Sequence, residues 1–215
     1  MNLPKYPQGK QTEQLNFLQV QEKVEAATKD LNIESLAYFW LLYYAGCRKS
    51  ELYETKVEDC KLTATHFFLP LKRKKGSAQT DPLEFPIWFP GMNFVCEQLE
   101  RSRKRKPKRK LIETSLKGKR TTERIRARWL FPHVHRAWAL LIVKRILGSD
   151  YYPHFLRLNR ITELCSDPES NLTRIKSYTG IKSTRIIEEN YMGVSKRQQR
   201  AAVNFIGNQI KRRDD

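Results

Sequence analysis

N-I-E-S-L-A-Y-F-W-L-L-Y-Y-A-G-C-R-K-S-E-L, residues 32–52, is the stretch from which the fold can be read outward. Asn32 suits an N-cap, and Leu36, Phe39, Trp40 and Tyr43 recur at helical spacing. Gly46 then supplies a left-handed stop. A short second helix follows, carrying Arg48, Glu51 and Leu52.

On the amino-terminal side, Thr12 followed by Leu15, Phe17, Leu18, Val20 and Val24 predicts a capped amphipathic helix ending near Lys29. On the other side, His66–Leu71 and Leu83–Trp88 are short apolar or aromatic runs around a polar stretch with Gly76, Asp81 and Pro82, which predicts a β-hairpin with a basic tip. A helix is expected from about Met92. Eight of the ten residues from Arg101 to Lys110 are Lys or Arg, a density that predicts a solvated, mobile segment unless phosphates neutralise it. Further helices are expected near Thr122, at Val134–Leu147, His154–Cys165, Leu172–Tyr178 and Thr184–Tyr191, with a polar C-terminal helix over Ser195–Arg213. The fold class expected is therefore α+β, mostly helical with a small antiparallel β-hairpin or sheet. The domain reading is one domain over 1–215, with a polar leader at 1–11, a basic insert at 101–120 and the C-terminal helix within 195–215.

Charge points to the partner. The chain has 41 Lys and Arg against 23 Asp and Glu, a net charge of +18, which suits a polyanion and makes nucleic acid the leading expectation. The longest apolar runs, such as Trp138–Val143, are too short to span a bilayer, and Met1–Lys10 lacks the apolar core of a signal peptide. Cys47, Cys60, Cys96 and Cys165 stand far apart and read as reduced thiols in a cytosolic protein. His133 and His135 have no acidic or Cys partner at ligand spacing, so no metal or cofactor is expected.

Cutting a phosphodiester without metal needs a nucleophile that stores the bond energy, cations for the non-bridging oxygens and an acid for the departing 5′ oxygen. Four segments offer these parts. A-G-C-R-K-S-E-L (45–52), trailed by V-E-D-C (57–60), presents Arg48. F-L-P-L-K-R-K-K-G (68–76) presents Lys74, with Lys72 and Lys75 as rivals, before E-F-P-I returns the hairpin. Y-P-H-F-L-R (152–157) places His154 and Arg157 three apart, on one helix face. Y-T-G-I-K-S-T-R-I-I-E-E-N-Y (178–191) ends on Tyr191.

In this order the four segments resemble the catalytic domain of the tyrosine recombinases, the phage integrase family, over roughly residues 12–195. The resemblance implies that Tyr191 attacks the phosphate to form a 3′-phosphotyrosine. Arg48 and Arg157 would hold the equatorial oxygens, His154 would assist the proton or bind the phosphate, and Lys74 would protonate the leaving oxygen. It further implies double-stranded DNA as substrate and a tetramer as the working assembly. Lys182 stands where the family usually has His or Trp, nine residues before the tyrosine, and is counted with the site. The separate amino-terminal DNA-grasping domain of most integrases is expected to be absent.

Plainer readings stand beside these. Arg48 and Glu51 would otherwise be an exposed helix-start pair, and Tyr178 reads as a core aromatic. The C-terminal helix would pack in cis or dock on a neighbouring protomer. A type IB topoisomerase-like relaxation, or a DNA-binding module whose catalysis has decayed, are the alternative functions.

Overall fold

The run from Ile33 to Ala45 is apolar or aromatic on nearly every face, and a helix of that kind has nowhere to go but the centre of the molecule. The computed structural model describes residues 13–72, 81–116, 119–167, 169–181, 183–185 and 187. In it α1 spans Phe17–Ala27 and α2 spans Ile33–Ala45, with every residue from Glu34 to Ala45 buried. Asn32 caps α2 by accepting from the Ser35 N–H at 2.8 Å, and Gly46 ends it at φ 51°. Trp40 stacks on Tyr44 with ring centroids 5.4 Å apart, and Tyr38 meets Phe131 edge-on at 5.2 Å.

The other elements are arranged around α2. After α3 (Lys49–Tyr53) come the strands β1 (Lys61–Leu62), β2 (His66–Leu69) and β3 (Leu83–Pro86), which form one antiparallel sheet in that order. Its register pairs Phe67 with Phe85 and Leu69 with Leu83. Helix α4 (Met92–Lys104) packs along α2, and the antiparallel pair β4 (Lys108–Leu116) and β5 (Lys119–Ala127) follows. Helices α5 (Arg136–Leu147), α6 (Pro153–Ser166) and α7 (Leu172–Thr179) complete the described chain, α5 and α6 packing on α2 and α7 on α6. A small second cluster of Ile161, Cys165, Ile175, Ile181 and Ile187 joins α6 and α7 to the segment beyond Gly180. Among the described residues no helix is long and apolar enough to cross a membrane.

The expected α+β class holds. Several local expectations are corrected. The first helix is capped not by Thr12 but by Asn16, which exchanges hydrogen bonds with Gln19 at 3.0 and 2.9 Å. The basic run is not a loose segment. Arg101 and Arg103 end α4 paired with Glu97 and Glu100, each at 2.6 Å, and Ser102 donates to the Leu130 carbonyl at 3.0 Å. Carboxylates three and four residues back thus offset the repulsion. Thr122 lies in β5 rather than a helix. The alternation of Ile125, Ala127 and Trp129, all set against Ile112, has the period of a strand. The helices proposed for Thr184–Tyr191 and Ser195–Arg213 fall largely or wholly outside the described residues.

Gly91, the N-cap of α4, has φ +79°, and a Cβ there would stand 2.1 Å from Cδ1 of Trp40. Backbone strain and overpacking against a rigid ring add up, so Gly91→Ala should destabilise the protein by about 3 kcal/mol. Denaturant unfolding measures this, and an unchanged midpoint would show that the α2–α4 contact is looser than described.

Candidate active site

The turn that follows Gly46 delivers Arg48 to the N-cap position of α3. Three residues on, Glu51 accepts the Arg48 backbone N–H at 3.1 Å with one oxygen and the Arg48 Nη1–H at 2.8 Å with the other. The Glu51 side chain is fully buried, whereas that of Arg48 is 36 % exposed. The pair is therefore a buried carboxylate aiming a half-exposed guanidinium, and not the exposed helix-start pair of the plainer reading. Next to it, burial and then the nearby Arg136 charge lower the Lys49 amine from its usual value.

Helix α6 begins at Pro153, where the missing N–H costs nothing, and so sets His154 and Arg157 one turn apart. Arg157 is only 3 % exposed. Its Nη1 donates to the Gly46 carbonyl at 2.6 Å and its Nη2 to the Thr179 carbonyl at 3.0 Å. Gly46 caps α2 and Thr179 is the last residue of α7, so one cation meets two helix C-termini, each carrying partial negative charge. His154 lies at the surface side of this fork. Partial burial of its ring, then the Arg157 and Arg48 charges, hold the imidazole below its usual pKa of 6.5.

A support layer lies beneath. The Arg160 guanidinium sits over the Tyr178 ring, 6.0 Å from its centroid, and pairs with Glu163 at 3.2 Å. The Tyr178 hydroxyl donates to the Tyr44 carbonyl at 2.5 Å, as suits the core aromatic expected. A Cβ on Gly46 would stand 3.2 Å from Cβ and Cγ of Arg160, so the glycine lets α6 approach the site closely. Sequence reasoning passed over Arg160 and Glu163, although their spacing of three is an ion-pair signal on any helix.

Arg48, His154 and Arg157 are thus brought together from segments more than a hundred residues apart. Lys72, at the edge of the hairpin loop, is 70 % exposed and stands 3.6 Å from Asp59. Lys74, Lys75, Lys182 and Tyr191 lie outside the described residues. Ile187, four residues before Tyr191 in sequence, is fully buried in the α6–α7 cluster. His133, weighed as a metal ligand, has its Nδ1 at 2.7 Å from Glu34 and its Nε2 at 2.8 Å from the Lys108 amine. Among the described residues no group of three His, Cys, Asp or Glu side chains is disposed to hold a metal ion.

No protein-family model matches the sequence, and no curated protein sequence does either. Solved structures match over nearly the whole chain. XerA recombinase aligns at 15 % identity with a TM-score of 0.61, covering 94 % of this chain and 66 % of its own. XerH site-specific recombinase bound to difH substrate in a pre-cleavage complex aligns at 18 % identity and TM-score 0.61, covering 93 % and 55 %. The Tn1549 transposon integrase in complex with transposon right end DNA aligns at 17 % identity and TM-score 0.58, covering 92 % and 68 %. The chain has the fold of the tyrosine recombinase catalytic domain, and it spans about half to two thirds of the length of these structures.

Two outcomes test the geometry. Arg157→Lys keeps the charge but cannot fork to both carbonyls, and should cost about 2 kcal/mol in unfolding free energy. An unchanged stability would mean the fork holds nothing. For His154, the folded midpoint lies below the unfolded 6.5, so the unfolded chain binds more protons between them. Its contribution to stability is present above 6.5 and is lost as pH falls through the folded midpoint. Arg48→Gln should move that midpoint upward in an NMR titration of the ring, and a fixed midpoint would separate the two residues.

Proposed function

We propose that the chain is a site-specific DNA recombinase or integrase that cleaves and rejoins strands through a 3′-phosphotyrosine intermediate. One observation carries the reading: Arg48, His154 and Arg157 converge, with the Arg157 fork joining the segments that hold Arg48 and lead toward Tyr191. A cluster of cations with one buried carboxylate to orient it is a site built for a phosphate. The DNA complexes of the recombinases that share the fold support a duplex substrate.

In this reading the Tyr191 hydroxyl oxygen attacks phosphorus in line, the bond to the 5′ oxygen breaks, and that oxygen leaves as a hydroxyl after taking a proton. Arg48 neutralises a non-bridging oxygen, and its pairing with Glu51 limits the entropy lost on contact. Neutral His154 accepts the tyrosine proton or donates a hydrogen bond to the phosphate. Lys74, which falls between β2 and β3 in sequence, is the proton donor, with Lys72 and Lys75 as rivals for that role, and Lys182 adds a point charge. Arg157 acts first as the positioning residue beneath the others. A second strand's 5′ hydroxyl reverses the chemistry and completes the exchange, within a tetramer on DNA.

One observation favours a second reading, a module that binds DNA without cutting it. Arg157 is 3 % exposed and donates through both terminal nitrogens to backbone carbonyls, so phosphate contact by this residue requires its fork to turn.

A metal-free suicide-substrate assay separates the two. Nicked duplexes carrying candidate attachment sites should yield a denaturation-resistant adduct with the wild type and none with Tyr191→Phe. An adduct that survives in Tyr191→Phe would reassign the nucleophile. Tight binding without adduct on any substrate that a related recombinase cleaves would favour the binding module.

A further inference from the structure

The β4–β5 ribbon is absent from the catalytic reading, yet it is rooted beside the site. The Lys110 amine, lowered to about 8 mainly by burial, donates to the carbonyls of Tyr53 at 2.8 Å, Val134 at 3.1 Å and Phe131. It also lies over the Tyr53 and Trp129 rings, at 5.5 and 5.4 Å. Trp129 Nε1 donates to the Lys108 carbonyl at 2.8 Å, and the backbone beyond β5 pairs with residues 55–57. The Glu34 carboxylate, at the buried start of α2, takes the His133 ring at 2.7 Å and Arg105 at 3.5 Å. Tyr53 ends the short helix that Arg48 caps, so the root lies on the order of 8 Å along that helix from Arg48.

Register assigns the faces. Lys110 opposes Ile125 and Lys108 opposes Ala127, on the side that packs inward with Ile112. Arg109 opposes Arg126 and Leu111 opposes Arg124 on the other side, and all four are exposed, Leu111 at 59 %. Like charges directly across a strand pair are destabilising, and among the described residues no carboxylate pairs with any of these three arginines. The contrast with Arg101 and Arg103, each paired to a glutamate, is local and sharp. The register puts one carboxylate, Glu113, on the same side as these three arginines, so the face stays net cationic and suits an external polyanion. A two-stranded antiparallel ribbon fits the major groove, and nine residues at roughly 3.4 Å each span about one turn of duplex.

We propose that the outer face of this ribbon, Arg109, Arg124 and Arg126 around Leu111, is a duplex-DNA grip that holds the substrate beside the Arg48 site. The proposal rests on the strand-transferase reading for its partner. The grip contributes backbone charge and one apolar contact, and its rigid root keeps it in register with the site.

The test is salt-dependent binding of a labelled duplex of about 30 base pairs by the full chain, read by fluorescence anisotropy. Arg109→Ser, Arg124→Ser and Arg126→Ser together should lower the slope of log K against log salt by about 2–3, and weaken binding on the order of a hundredfold in about 0.1 M salt. The same loss of charge on α4, through Arg101→Ser, Arg103→Ser and Lys104→Ser, should change the slope by less than about one. Replacing the three ribbon arginines by lysine should keep most of the slope. Equal losses in the ribbon and α4 variants, or no loss in either, would overturn the grip, as would a lysine variant that falls as far as the serine one. Binding is read without chemistry, so absence of adduct with the wild type counts against the strand-transferase reading alone. A serine variant with wild-type binding counts against the ribbon alone.

Discussion

A single buried cation between two helix ends organises the site. The Arg157 guanidinium reaches the carbonyl that closes α2 and the carbonyl that closes α7, at 2.6 and 3.0 Å. Each of those carbonyls belongs to a helix terminus that would otherwise lack a donor, and each carries part of a helix dipole. Satisfying both with one planar fork locks three segments in relation: the turn that presents Arg48, the helix that presents His154, and the turn that leads toward Tyr191. The glycine at position 46 is part of the same constraint, because its left-handed backbone and missing Cβ let α6 come within contact.

From that arrangement the electrostatics follow. Arg48, Arg157, Lys49 and Arg136 gather positive charge in one region, and Glu51 is the buried carboxylate that orients Arg48 within it. Burial first, and then this excess, hold the His154 ring below its usual pKa, and the excess leaves a field suited to an anion. The ribbon extends the same economy outward. Its inner face sets one lysine against three carbonyls and two aromatic rings, and its outer face presents three exposed arginines. Rigid root and cationic face are separate properties, and the structure joins them on one pair of strands.

Much of the fold was legible because it is local. Asn32, the apolar circumference of residues 33–45 and Gly46 define α2 through contacts no more than four residues apart, and those are visible in any linear reading. The hairpin at His66–Leu69 and Leu83–Pro86 was legible for the same reason, through alternation and turn residues. The β4–β5 ribbon was not. Its basic density overshadowed the alternation of Ile125, Ala127 and Trp129, and its stability comes from the root, where Glu34 meets His133 across 99 positions of sequence. No spacing rule could pair His133 with that carboxylate.

The site divides along the same line. By itself the sequence determined which residue types stand where: an arginine after a glycine stop, a histidine three before another arginine, a tyrosine past a glycine turn. Those patterns are carried by helix period and capping, which are properties of short segments. Only the tertiary structure decided that Arg48 is aimed by a buried Glu51, that Arg157 faces inward onto Gly46 and Thr179, and that Tyr178 is tied down by the Tyr44 carbonyl. Burial and hydrogen-bond partner depend on which elements pack together, and that is settled by the collapse of apolar faces from distant parts of the chain.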